Sequence, residues 1–449
     1  METPTARITS DWSIEAQVPR EFLARPHGSN GWCRRSENVE AFKHGDFRAV
    51  KPETLELCVA NRCNKNCHFC TYAGCKVCQK LLPVGKYGQP NDVEAMSLAT
   101  ARRVIVEAKK AGVKGVLITG NGGDPGVCID TPAIMEFSAE NGMATMVYSN
   151  AIMWGVNYEL AKRTLSPRNS VVCIRGSYNE ATARVARHLA GIGSERLDLE
   201  YRGYRHVLQA RDQLLQEYDV SKGSPPAVMT SIVVSERNVE DLLPICERIA
   251  AIYSSTAQYH GPFDDCVCRC ATDHSRGNYE KHDHATKMVD RLLAVVGESC
   301  PGRRAIEEAG MALKLGFGLQ MVVDGRFCTY DAVLDWEYSR RDCCWANGLF
   351  LNVGPDGRVY FCCDFIGKEE WQIGDLKTQS VEEVWNSDRR SACYNRVNGE
   401  HCGPAVCEAT CRTCRLNQIA RDLQAGRITD NELEQLRQTA IGDRWPLLS

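Results

Sequence analysis

Cysteine placement is the strongest chemical signal in this chain. Its 449 residues include 24 cysteines, three of them in Cys63-Asn64-Lys65-Asn66-Cys67-His68-Phe69-Cys70, a Cys-x3-Cys-x2-Cys spacing. Cys58, Cys75 and Cys78 crowd the same stretch, and a second group runs from Cys328 to Cys414. The opening residues from Met1 to Asn30 carry charges and prolines but no continuous apolar run, so no secretory signal is expected. Thiols at this density in an unexported chain point to metal or cluster ligation more than to disulfides. A zinc knuckle or unrelated thiols is the alternative reading of the Cys63–Cys70 run, although structural zinc prefers paired Cys-x2-Cys units closed by a second pair or by histidines. Cys75 and Cys78 do form such a pair and are read as structural.

The Cys63–Cys70 run directly follows a predicted strand and resembles the signature of the radical S-adenosylmethionine (SAM) superfamily. The resemblance implies that three thiolates hold three irons of a 4Fe-4S cluster, leaving one iron open to chelate the amino and carboxylate groups of SAM. It further implies that Phe69 lies against the adenine. The stretch Thr119-Gly120-Asn121-Gly122-Gly123-Asp124-Pro125 looks like the family's glycine-glycine-glutamate-proline motif, with Asp124 replacing the usual glutamate. By that likeness Gly122, Gly123 and Asp124 receive the SAM amino group, and the glycines let backbone approach the ligand closely. Asn150, Arg175 and Ser177 stand at strand ends where family members contact the SAM ribose or carboxylate; ordinary loop polarity is the alternative reading.

A second resemblance lies near the C-terminus. Cys344-x12-Gly357-x4-Cys362, followed by Cys407-x3-Cys411-x2-Cys414, is similar to the auxiliary-cluster domains called SPASM and its shorter version, Twitch. It departs from the full SPASM ending, so the resemblance implies one auxiliary 4Fe-4S cluster on Cys344, Cys362, Cys411 and Cys414. Cys343, Cys363, Cys402 and Cys407 remain alternatives, as does a structural zinc ribbon. Cys266, Cys268 and Cys270 alternate in an extended segment, which would point them to one face, with no assigned role.

These residues need a scaffold that presents them at one end. Short β-rich runs at Thr54–Val59, Gly115–Thr119, Ala144–Tyr148, Ser170–Ile174 and Val228–Val234 alternate with helical stretches, and a sixth is expected at Thr256–His260. The helix expected from Leu98 to Ala111 presents Ala99, Val104, Ile105 and Ala108, with Ser97 as N-cap and Gly112 as stop. This alternation predicts an α/β fold, an open partial (β/α)6 TIM barrel whose reactive end is the C-terminal face of its strands, with a small C-terminal cysteine-rich SPASM/Twitch-like domain. The expected division is an N-terminal extension (1–50), the radical SAM barrel (51–314), the auxiliary iron-sulfur domain (315–420) and a C-terminal helix (421–449). That helix opens with the capping box Thr429-Asp430-Asn431-Glu432.

A net charge of −3 and a pI near 6.4, with basic residues scattered, give no footprint for nucleic acid or an anionic membrane. The expected compartment is the cytoplasm. Chain length, the single barrel and the Asp form of the SAM motif resemble radical SAM enzymes of aminoglycoside biosynthesis. That likeness implies dehydration of a 1,2-diol, the 3'-deoxygenation of a paromamine-like pseudodisaccharide, with an electron donor such as flavodoxin or ferredoxin and a separate reductase acting on the product. A cationic aminosugar calls for acidic and hydroxyl groups at the barrel mouth; Tyr259, His260, Asp264 and Asp265 are the candidates, followed by Glu200, Tyr201 and Tyr204. No general acid or base is identifiable. The alternatives are a dehydrogenase oxidising a carbohydrate alcohol to a ketone, a maturase of a ribosomally made peptide, and a non-enzymatic metal-binding scaffold. The polar, glycine-punctuated stretch from Trp12 to Arg48 does not suggest a peptide-docking domain.

Overall fold

The computed structural model describes residues 33, 35–67, 95–120, 123–217, 225–234, 238, 241–259, 266–270, 319–323, 326–328, 344–398 and 420–439. Within them an 11-stranded sheet runs in the order β11-β10-β9-β1-β2-β3-β4-β5-β6-β7-β8. The barrel strands are β1 (Thr54–Cys58), β2 (Gly115–Thr119), β3 (Ala144–Ser149), β4 (Val171–Ser177), β5 (Ala227–Val234) and β6 (Cys266–Cys270). All pair in parallel with their neighbours. The C-terminal stretch extends both edges of the sheet. β7 (Leu319–Val323) adds parallel to β6 and turns back as β8 (Arg326–Cys328); β9 (Phe350–Val353) adds parallel to β1 and continues through β10 (Arg358–Tyr360) to β11 (Gln372–Asp375). The strand order has two ends, so the sheet is open.

Both faces of the central strands are buried, as expected when helices cover a parallel sheet. Val116, Ile118, Val147, Ile174, Val228 and Ile232 join the main core, whereas Leu117, Met146, Cys173 and Met229 form a separate cluster on the opposite face. This two-residue alternation gives the sheet an inner and an outer side.

The covering helices are α1 (Ser36–His44), α2 (Leu98–Lys110), α3 (Thr131–Glu140), α4 (Ile152–Val156), α5 (Tyr158–Thr164), α6 (Ala183–Leu189), α7 (Ser194–Glu217) and α8 (Leu242–Thr256). Ser97 caps α2 by accepting from the Thr100 amide at 3.2 Å, as its sequence predicts. The helix buries Ala101 with Val104, Ile105 and Ala108, while Ala99 is exposed. In the C-terminal part lie α9 (Val381–Trp385), α10 (Asp388–Asn398) and α11 (Asp430–Thr439), the last opened by the predicted Thr429/Glu432 capping box. Among the described residues no helix is long and apolar enough to cross a membrane.

The sixth strand differs from the expectation. Thr256 ends α8, and the strand is Cys266–Cys270 instead. The reason is local: Asp212 of α7 accepts from the amides of Gln258 (2.6 Å) and Tyr259 (3.2 Å), and Arg211 donates to the Tyr259 carbonyl at 2.9 Å. Backbone groups that a strand would give to a ladder are taken by a helix. The β5–β6 register sets Cys266, Cys268 and Cys270 opposite Thr230, Ile232 and Val234.

Candidate functional site

The chain leaves β1 at Cys58 and enters the cysteine loop. Two loops meet there. The amide of Asp124 donates to the carbonyl of Arg62 at 2.8 Å, and Gly123 is packed so closely that a Cβ on it would run into the carbonyls of Ala60 and Arg62. Gly123 is therefore required by the approach of the β2 loop to the residue preceding Cys63. Cys63 and Cys67 are half-buried. The Cys63 sulfur accepts from the Lys65 amide at 3.3 Å and from the Asn150 side-chain amide at 3.5 Å. Two partly accessible thiols just past the C-terminal end of a parallel strand, with N–H donors on the Cys63 sulfur, have the chemistry of iron-sulfur ligands.

Asp124 is 3% exposed and fully engaged. Its Oδ1 accepts from the Gly126 amide at 2.8 Å, its Oδ2 from the Asn150 amide at 2.7 Å, and the Ser149 hydroxyl reaches both oxygens at 3.0 and 3.1 Å. Burial pushes its carboxyl upward, opposed by the Asn150 and Gly126 amides. The carboxylate staples the end of β2 to the end of β3. Asn150 then faces the cysteine loop, its Nδ2 also donating to Asn64 Oδ1 at 2.6 Å and its Oδ1 accepting from Ile152.

Arg175 and Ser177 lie farther across the sheet, on β4. The Arg175 guanidinium is buried, donates to Ser231 of β5 at 2.9 Å and stands 4.9 Å over the Tyr148 ring of β3. It ties three strands together.

Behind the cysteine loop is a group that sequence reasoning missed. Lys65, between Cys63 and Cys67, turns inward to Glu180 Oε2 at 3.0 Å and Glu200 Oε2 at 2.6 Å, with side chains no more than 2% exposed. Burial disfavours the Lys65 charge, but the two glutamates outweigh it and raise its pKa. Burial lifts Glu200 well above the carboxylate range; Lys65 opposes the shift and Glu180 adds to it. Tyr201 donates to the Glu180 carbonyl at 2.7 Å, and its ring packs against Tyr178, which also meets Tyr204. Glu200, Tyr201 and Tyr204, expected as polar groups lining the barrel mouth, are instead buried in a cluster packed against the cysteine loop.

Residues 343–415 match SPASM, an iron-sulfur cluster-binding domain. No curated protein matches the sequence. Among solved structures, Streptococcus suis SuiB bound to S-adenosylmethionine superposes with a TM-score of 0.52 at 13% identity, covering 84% of this chain and 75% of that one. SuiB bound to its precursor peptide SuiA gives 0.50 at 15% identity, covering 86% and 75%. At such identity the likeness is one of fold. The architecture is the one expected from the sequence: an α/β parallel-strand barrel with a C-terminal SPASM domain.

The remaining site residues divide by position. Cys344, buried, precedes β9 and Cys362, half-buried, follows β10, so the antiparallel pairing of these strands leads both toward the open end of the hairpin. Phe69, Cys70, Gly122, His260, Asp264, Asp265, Cys411 and Cys414 lie outside the described residues. Tyr259 leads into β6 instead of leaving a strand. The Arg211 that bonds its carbonyl also reaches Pro226, just ahead of β5, so Tyr259 sits at the sheet end opposite the cysteine loop. That position is a correction to its expected place at the barrel mouth, and it follows from the shifted sixth strand.

Proposed function

We propose that this chain is a radical SAM enzyme in which Cys63, Cys67 and Cys70 hold a 4Fe-4S cluster and the β2 and β3 loops receive SAM. One observation carries the reading: the glycine-rich loop, through Gly123 and Asp124, is laid directly against the residue before Cys63 while Asn150 reaches the Cys63 sulfur. When bound, the cluster and SAM together supply a reductively generated carbon radical able to take a hydrogen atom from the substrate. The chain's own part is positioning. Gly123 permits close backbone approach, Asp124 fixes the Ser149–Asn150 corner, Asn150 and the Lys65 amide donate to sulfur, and Arg175 holds a fixed positive charge among β3, β4 and β5. Phe69 against the adenine, Gly122 with Gly123 and Asp124 at the SAM amino group, and Ser177 at the end of β4 complete the proposed SAM site. In the SPASM domain one auxiliary cluster on Cys344, Cys362, Cys411 and Cys414 is the proposed count, with domain limits of 51–314 and 315–420.

The substrate proposed is an aminosugar, and the reaction the dehydration of a 1,2-diol in aminoglycoside antibiotic biosynthesis, as in the apramycin-pathway diol dehydratase. Such a cytoplasmic enzyme draws electrons from a flavodoxin or ferredoxin and passes its keto product to a separate reductase. His260, Asp264 and Asp265 are retained as candidates for the cationic groups of the substrate. A second reading, a peptide maturase, rests on the fold likeness to a protein crystallised with its precursor peptide. The test is anaerobic reconstitution followed by reductant, SAM and a paromamine-like substrate. Deoxyadenosine together with a product lighter by one water supports the dehydratase; loss of two hydrogens identifies a dehydrogenase. Failure to form any deoxyadenosine rejects the radical SAM reading.

A further inference from the structure

The cysteine loop is held from behind by ions that the proposed reaction does not consume. Lys65 is 4% exposed although the cysteines on either side of it are half-buried. Its ammonium is clasped by Glu180 and Glu200, both 0% exposed, and its own amide donates to the Cys63 sulfur at 3.3 Å. Further ties run to the same flank: the Asn66 amide to the Ala190 carbonyl at 2.8 Å, and Arg196 to the Asn64 carbonyl at 3.1 Å. A buried ion group is costly to desolvate, and an apolar side chain could hold a loop without that cost. The ionic clasp instead gives directional control of one residue, the one whose N–H meets a ligand sulfur.

We propose that Lys65, gripped by Glu180 and Glu200, is a positioning residue that fixes the Cys63–Cys67 backbone so that the Lys65 amide donates to the Cys63 sulfur and sets the redox poise of the SAM-binding cluster. The inference rests on the radical SAM reading above. An N–H donor withdraws electron density from a cluster sulfur and favours the reduced state, so losing it shifts the potential downward.

The experiment compares the reconstituted full chain with K65M, K65R and the charge-balanced K65M/E180Q/E200Q, which leaves no unmatched buried charge. Circular dichroism reports folding, and EPR-monitored redox titration follows two signals: the one that responds to added SAM, and the auxiliary cluster as internal control. The balanced variant is expected to fold, to leave the auxiliary midpoint in place, and to show altered g-values and a more negative midpoint for the SAM-responsive cluster. Selective loss of that cluster also supports the proposal. K65R, which can still engage the glutamates, is expected to recover part of the shift. Unchanged g-values and midpoint in the folded balanced variant overturn it; should that variant not fold, a wild-type midpoint in K65M overturns it equally. A wild-type chain with no SAM-responsive cluster overturns the radical SAM reading itself.

Discussion

At the scale of single residues, Asp124 shows how one buried carboxylate holds two loops together. Its oxygens are occupied by two backbone amides and a hydroxyl, so its side chain acts on the shape of the site. Asp124→Ala would leave the Gly126 and Asn150 amides without their acceptor in a buried place, and a loss of about 2–4 kcal/mol is expected from urea unfolding of the apo protein. Asp124→Glu pushes a methylene into a buried, fully hydrogen-bonded place and is expected to cost about 1–3 kcal/mol. A glutamate that raised stability would mean the site has room for the longer side chain. Glu200 gives a prediction of a different kind. Burial raises its pKa well above 4.5, so the folded chain retains a proton that the unfolded chain has released. Its contribution is complete below the unfolded value and declines as pH rises through the folded one. Glu200→Gln removes this titration, and its melting temperature is expected to fall less steeply than that of the wild type from about pH 5 upward.

At the scale of elements, the closest packing is between α4 and α7. A Cβ on Gly203 would run into the Ala151 carbonyl, and one on Gly155 into the Leu199 carbonyl. Gly203→Ala should gain about 1 kcal/mol in helix propensity, but the contact is with backbone and cannot yield as a flexible side chain would. Net destabilisation of about 1–3 kcal/mol is expected, measured by thermal unfolding; a stabilised variant would show that α7 shifts freely. Because α7 carries Glu200, its seat against α4 bears directly on the cysteine loop. The sequence made the strands and α2 legible through alternating apolar residues, a serine cap and a glycine stop, and the cysteine spacing marked the loop. It did not reveal that Thr256–Tyr259 is a helix end, because Arg211 and Asp212 claim those backbone groups from more than forty residues away. Nor could spacing pair Lys65 with Glu180, separated by 115 residues, since a lysine between asparagines reads as solvated. The same holds for Glu200 and Tyr201, polar by type but buried by the fold.

At the scale of the molecule, the segment that matches SPASM is continuous with the barrel. β9 pairs with β1 over Thr54–Leu57, so the strand that delivers the cysteine loop is flanked by the C-terminal part on one side and by β2 on the other. The N-terminal segment closes over this junction: Phe47 stacks on Tyr394 with centroids 3.8 Å apart, and the Trp385 indole donates to the Val50 carbonyl at 2.8 Å. Arg390 is the centre of the arrangement. At 2% exposure it donates to the carbonyls of Trp385 (3.1 Å), Phe47 (3.3 Å) and Val50 (3.5 Å), and its guanidinium lies over the Phe47 and Trp385 rings. Arg390→Met keeps the apolar stem but leaves the Phe47 and Trp385 carbonyls short of a donor, for an expected loss of about 2–4 kcal/mol. If the junction is one cooperative unit, the loss appears in both halves together. Hydrogen exchange of the variant is expected to quicken at α1 and along β9, and at the β1 amides between them, while α3 and α5 stay near wild-type protection. Faster exchange confined to α10 would show instead that the C-terminal part opens without loosening the strand that leads into the Cys63 loop.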